Sequence, residues 1–147
     1  MVVFFSSFVI INYEYVLYYE ESNNKGNRLV IPAIEFDMII YDSGLYNDVD
    51  SNIELLDGSD KSNNLYFFAG HSGNGDNCYF NRVKELVYGD IVYVYMDGKF
   101  YSYKVVDSYN IIKTGYMEVL ENSSDLVYLI TCNDYGGQLI VKGVLIN

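Results

Sequence analysis

Short apolar runs broken by polar, glycine-containing punctuation dominate the chain. Residues 126–131 (LVYLIT), 139–146 (LIVKGVLI) and 91–96 (IVYVYM) are continuous apolar stretches without a helical period. They have the length and β-branched content of strands buried on both faces. Asp97-Gly98 separates 91–96 from the next β-rich run, 99–106 (KFYSYKVV), the strongest short-range signal for a hairpin. Further strands are predicted over 29–34, 38–41 and 65–69, with Pro32 marking the first as an edge or a bulge. One helix is predicted over 78–87, where Phe80, Val83, Leu86 and Val87 share a face, and Gly89-Asp90 ends it. Seven or eight short strands with one or two short helices predict a mainly-β barrel.

Composition narrows this picture. With 147 residues, half of them apolar and 17% aromatic, the chain suits one domain with a real core. Twenty acidic against nine basic residues give a net charge of −11, which disfavours nucleic-acid phosphates and anionic lipid headgroups as partners. Two cysteines make no disulfide framework, and with one histidine they are too few for a typical zinc site. The first residues, 1–11 (MVVFFSSFVII), are apolar but reach only about half the ~20 residues of a spanning helix, and no basic stretch or small-residue cleavage site marks a secretory signal. They read equally as a truncated anchor or as a first strand or an amphipathic cap on the barrel. A polar spacer follows, so the predicted division is an N-terminal segment over 1–27 and a barrel domain over 28–147.

Two residues carry the candidate chemistry. His71 follows a strand in FFAGHSGNG, and Cys132 ends another in YLITCND. A thiolate is a strong nucleophile, and an imidazole beside it can take its proton and later protonate a leaving amine. Taken alone, the pair reads more readily as a buried inert thiol and a solvated loop histidine.

The surrounding motifs resemble the sortase family, the cysteine transpeptidases of Gram-positive cell surfaces. The resemblance runs from Arg28 to Ile146: the Ile-Pro strand LVIPAI, the segment ELLDGS, the Gly-His dipeptide in FAGHS, YFNRVKEL, the Gly-Asp strand start YGDIVYVY, the hairpin KFYSYKVVDS, and YLITC. The last is similar to the family's Thr-Leu-x-Thr-Cys with Tyr128 in place of the first Thr. The resemblance implies a sortase-like closed β-barrel in which Cys132 is the nucleophile and His71 the acid/base. It also implies cleavage of an LPXTG-like sorting signal between Thr and Gly, a thioacyl enzyme, and transfer to an amine from cell-wall precursor or a pilin lysine. Thr131, Ser72 and Arg82 are the candidate substrate-binding residues. The implied location is the outer face of the membrane, with an N-terminal anchor. No cofactor is expected.

One departure stands out. Where sortases carry an arginine at the start of the strand after the cysteine, this chain has Gln138. Glutamine keeps an NH2 donor but loses the charge and the fork. Three readings stay open: a slower working variant, the cationic role passing to Lys142 or Arg82, or a form that binds peptide without turnover. The short stretch 107–125 and the absence of an Asp-Pro-Trp-like lid motif look closest to class D or E, with class A next. Acidic residues Asp48, Asp50, Glu54 and Asp57, with Glu118, Glu121 and Asp125, suggest a calcium site only weakly and read as solvated loops. Cys78, in the loop after His71, reads as an ordinary cysteine or as a disulfide partner of Cys132.

Overall fold

The computed structural model describes residues 26–112 and 123–147, so most of the N-terminal segment predicted over 1–27 lies outside the described residues. Eight strands form one curled sheet: β1 (Arg28–Ile31), β2 (Phe36–Ile39), β3 (Glu54–Leu55), β4 (Tyr66–Ala69), β5 (Ile91–Met96), β6 (Lys99–Ile111), β7 (Leu126–Cys132) and β8 (Gln138–Leu145). Their order across the sheet is β2-β1-β5-β6-β8-β7-β4-β3. All neighbouring pairs are antiparallel except β4 with β7, which run parallel. The sheet curls until residues of its two edge strands, Phe36 of β2 and Leu55 of β3, belong to one buried cluster with Leu29, Tyr66, Phe68, Val92 and Leu129. The edges are also tied by Asn52, whose buried amide donates to the Ile39 carbonyl at 2.7 Å. The expected mainly-β, barrel-like fold is therefore present.

Where local order departs from the sequence pattern, the cause is visible. Pro32 ends β1 rather than bulging it, and opens a 3-10 turn, Pro32–Ile34, closed by Glu35 at φ 54°. The hairpin at Asp97-Gly98 forms with both residues at positive φ, as its turn chemistry requires. Strand β6 runs past Val106 to Ile111, with an irregularity between Val105 and Asp107. Its polar tail was not legible as strand because backbone pairing with β8, not side-chain burial, extends it. The helix expected over 78–87 is instead a set of turns ending in the 3-10 helix Val83–Glu85. The spacing explains the difference. Phe80, Val83 and Leu86 are buried at intervals of three, the period of a 3-10 turn, whereas Val87 is 64% exposed. So short a segment also gains too few α-helical bonds to offset nucleation.

Among the described residues no helix is long and apolar enough to cross a membrane.

Candidate active site

The ends of β4, β7 and β8 bring three sequence-predicted residues to one level. Parallel pairing aligns Phe68 with Leu129 and Ala69 with Ile130. The Gly70 N–H continues the ladder by donating to the Ile130 carbonyl at 3.1 Å. Ser72 Oγ then donates to the Cys132 carbonyl at 2.8 Å, pinning the loop after β4 to the end of β7. Extending the register by two residues sets His71 level with Cys132, on strand paths about 4.8 Å apart. On the other side of β7, Gln138 is the antiparallel partner of Cys132, and Ile111 of β6 is the partner of Gln138.

Alternation along the strands assigns the faces. Cys132 shares its face of β7 with Tyr128 and Ile130. The Tyr128 ring stacks on Phe67 with centroids 4.9 Å apart, and Ile130 clusters with Phe67, Leu65 and Ile140. An apolar strip on the outer face of the sheet thus leads up to the thiol. Thr131 points the other way: it is buried, and its Oγ1 has no hydrogen-bond partner. A cleft of about 600 Å3 opens beside Cys132, with Thr131, Ser72, Asn81, Lys84 and Asn133 in its wall. The loop between β7 and β8 is shaped by Asn133, whose Oδ1 accepts from the N–H groups of Tyr135 (3.0 Å) and Gly137 (2.8 Å).

The Gly-His dipeptide has a steric basis. A Cβ on Gly70 would lie 2.7 Å from Cγ of the Phe80 ring, and Phe80 is fully buried. Gly70→Ala is therefore expected to destabilise the protein by about 1–3 kcal/mol, since an overpacked core relaxes only by shifting its backbone. The backbone that would shift carries His71. A urea midpoint equal to that of the wild type would show that the ring has room to move.

Of the sequence-predicted candidates, Arg82 is not brought to the cysteine. Its Nε and Nη2 donate to Glu85 at 2.8 and 3.2 Å and its Nη1 donates to the Ile34 carbonyl at 3.1 Å, and Arg82 does not line the cleft. Lys142 is on the face of Gln138, opposite Tyr128 of β7 and Asp107 of β6, but four residues along the strand, about 13 Å away. Among the described residues the one Lys or Arg in the cleft wall is Lys84, which carried no signal in the sequence. Both cysteines are free thiols.

Asp50 was also missed. His71 Nε2 lies 2.7 Å from Asp50 Oδ1, across 21 positions of sequence. An ionised carboxylate only accepts, so Nε2 carries the proton. With Asp50 75% exposed, the contact itself adds little to stability. From sequence, Asp50 was one of an acidic group. The structure separates it from Glu54, whose carboxyl is raised by burial and by the charges of Asp48 and Asp57. Among the described residues no three His, Cys, Asp or Glu side chains converge as a metal site.

The sortase domain family matches residues 29–146. The chain is similar to sortase C-1 from Actinomyces oris, at 28% identity with a TM-score of 0.71, covering 82% of this chain and 73% of that one. It is similar to sortase C2 of Group B Streptococcus pilus island 1, at 25% identity with a TM-score of 0.72, covering 82% and 73%. It shares its fold with a Clostridium perfringens sortase C solved with the C-terminal cell wall sorting motif, at 24% identity with a TM-score of 0.69, covering 82% and 69%. No curated protein sequence matches. With a family match over nearly the whole barrel and the motifs in the family's order along it, the chain belongs to the sortase family.

Proposed function

We propose that the protein is a cysteine transpeptidase of sorting signals, with Cys132 as nucleophile and His71 as acid/base. The observation that carries this reading is the pairing of Cys132 on β7 with Gln138 on β8, with His71 two residues past the end of β4 beside them. Cys132 Sγ attacks the scissile carbonyl carbon of a peptide held in the cleft walled by Thr131, Ser72, Asn81 and Lys84, while His71 takes the thiol proton. The tetrahedral oxyanion collapses as the C–N bond breaks, and His71 returns the proton to the departing amine. A thioester on Cys132 remains. An incoming amine attacks that thioester, loses its proton to His71 and leaves as the new amide, which frees the thiol.

The sorting signal is of the LPXTG-like class, a reading supported by the similar fold solved with a sorting motif. The acceptor is an amine of cell-wall precursor or of a pilin. The enzyme acts at the outer face of a membrane, and no cofactor takes part in these steps. Thr131 and Ser72 shape the wall of the cleft beside the thioester, Ser72 by holding the Cys132 backbone. Arg82 takes no part in these steps, because its guanidinium is tied to Glu85 and to the Ile34 carbonyl.

Gln138 supports a second reading, a peptide-binding protein with little turnover. Its side chain projects from the position directly opposite Cys132, where an arginine would offer a charged fork to the oxyanion. An oxyanion donor is worth about 10²–10³-fold in rate elsewhere. Gln138→Arg is therefore expected to raise kcat/KM for a sorting-signal peptide by about 10- to 100-fold. Turnover that stays equal or falls would mean the site is built around the neutral amide. Peptide binding without turnover in the wild type, and turnover gained in the variant, would establish the second reading.

A further inference from the structure

We infer that Asp50 is the positioning residue of the Cys132–His71 pair: it selects the tautomer of His71 and fixes the ring, so that Nδ1 is the nitrogen left to exchange a proton with the thiol. The inference rests on the reading of Cys132 and His71 as the reacting pair. Its basis is the 2.7 Å contact between Asp50 Oδ1 and His71 Nε2.

Three observations make this contact more than a chance surface pair. The first is that Asp50 stands on an ordered turn. Its N–H donates to Asp48 Oδ1 at 3.0 Å, and the N–H groups of Ser51 and Asn52 donate to the Asp48 carbonyl at 3.1 and 2.8 Å. Immediately after the turn, Asn52 and Ile53 are buried, with the Asn52 amide bonded to the end of β2. The carboxylate is thus held by the barrel wall although it is itself exposed. The second is that His71 is anchored from the opposite direction, by Ser72 to the Cys132 carbonyl and by its own carbonyl, which accepts from the Phe80 N–H at 2.9 Å. The third is chemical. A neutral imidazole has one N–H and one lone pair. Committing Nε2–H to Asp50 leaves the lone pair on Nδ1, and the base cannot drift to the unproductive tautomer. Asp50 also faces the imidazolium formed when the ring takes the thiol proton. Because water screens so exposed a carboxylate, orientation rather than charge is its main contribution.

His71 is the only histidine of the chain, which makes the test direct. Its two ring nitrogens are resolved by 15N NMR on the neutral ring, which distinguishes a protonated from a pyridine-type nitrogen without assignment by mutation. In the wild type, Nε2 is expected to carry the proton and Nδ1 the lone pair. In Asp50→Ala the two shifts converge toward a tautomer mixture, and kcat/KM for a sorting-signal peptide falls by about 10- to 100-fold, the scale of a misplaced catalytic group. Asp50→Asn keeps an acceptor oxygen, so it retains the wild-type tautomer and loses less activity than Asp50→Ala. A wild-type ring protonated on Nδ1, or a tautomer unchanged in Asp50→Ala, overturns the assignment. The NMR arm needs no turnover, so absence of transpeptidation in the wild type would count against the proposed reaction and leave the tautomer result to decide on Asp50.

Discussion

Cys132→Ala is expected to reduce transpeptidation to background, a loss on the order of 10⁶-fold if the thiol acts as the serine nucleophile does in hydrolases. Among the described residues no substitute nucleophile stands on that face. The neighbours of Cys132 there are Ile130 on its own strand and Gln138 across the ladder, and the other thiol, Cys78, lies in the loop after His71 and is not part of the cleft wall. Folding should be unaffected, because Cys132 is exposed and its backbone bond to Ser72 uses the carbonyl. Steady-state release of the amine leaving group from a fluorogenic sorting peptide measures the effect. Retention of more than a trace of rate in a folded Cys132→Ala protein would remove the nucleophile from the account.

His71→Ala is expected to lower kcat/KM by about 10²–10⁴-fold, the usual weight of a positioned acid/base. The loss is smaller than at Cys132 because a thiol retains some thiolate without its partner. The two residues act as a unit, so the double variant should be no slower than Cys132→Ala alone. That non-additivity separates a reacting pair from two independent structural effects, which would sum. Thiol alkylation by iodoacetamide supplies a second readout: His71→Ala should slow the modification of Cys132, whereas equal rates would mean that the imidazole does not assist ionisation.

Much of the architecture was legible before the structure. The apolar runs at 91–96, 126–131 and 139–146 became β5, β7 and β8 within a residue or so, because their burial is set by their own side chains. What was legible of the candidate site was its placement at strand ends: Cys132 closes β7, Gln138 opens β8 and His71 follows the end of β4. What was not legible depends on distant packing. The three-residue spacing of Phe80, Val83 and Leu86 resembled a helical face until Val87 was found exposed. Lys84 reaches the cleft through that same misread segment. Asp50 carried no signal at all. It is one acid among neighbours, and only the turn anchored by Asn52 brings it to His71.

The departure at Gln138 is the point where family resemblance and chemistry pull apart. The ladder sets the glutamine opposite the thiol, while Arg82 is tied to Glu85 and Ile34 and Lys142 lies four residues along the strand. Under the proposed reaction a neutral donor stands opposite the thiol and a cation, Lys84, stands in the cleft wall, an arrangement in which acylation should be slow rather than absent.

Intact-mass spectrometry tests that claim most directly. The protein, and Cys132→Ala beside it, is mixed with a panel of LPXTG-like peptides and sampled over hours in the absence of any amine acceptor. The account predicts a mass increase in the wild type equal to the peptide up to its threonine, absent in Cys132→Ala and removed by hydroxylamine. No adduct from any peptide, with Cys132 still alkylated readily by iodoacetamide, would contradict the transpeptidase reading and leave a sortase barrel that does not form a thioester.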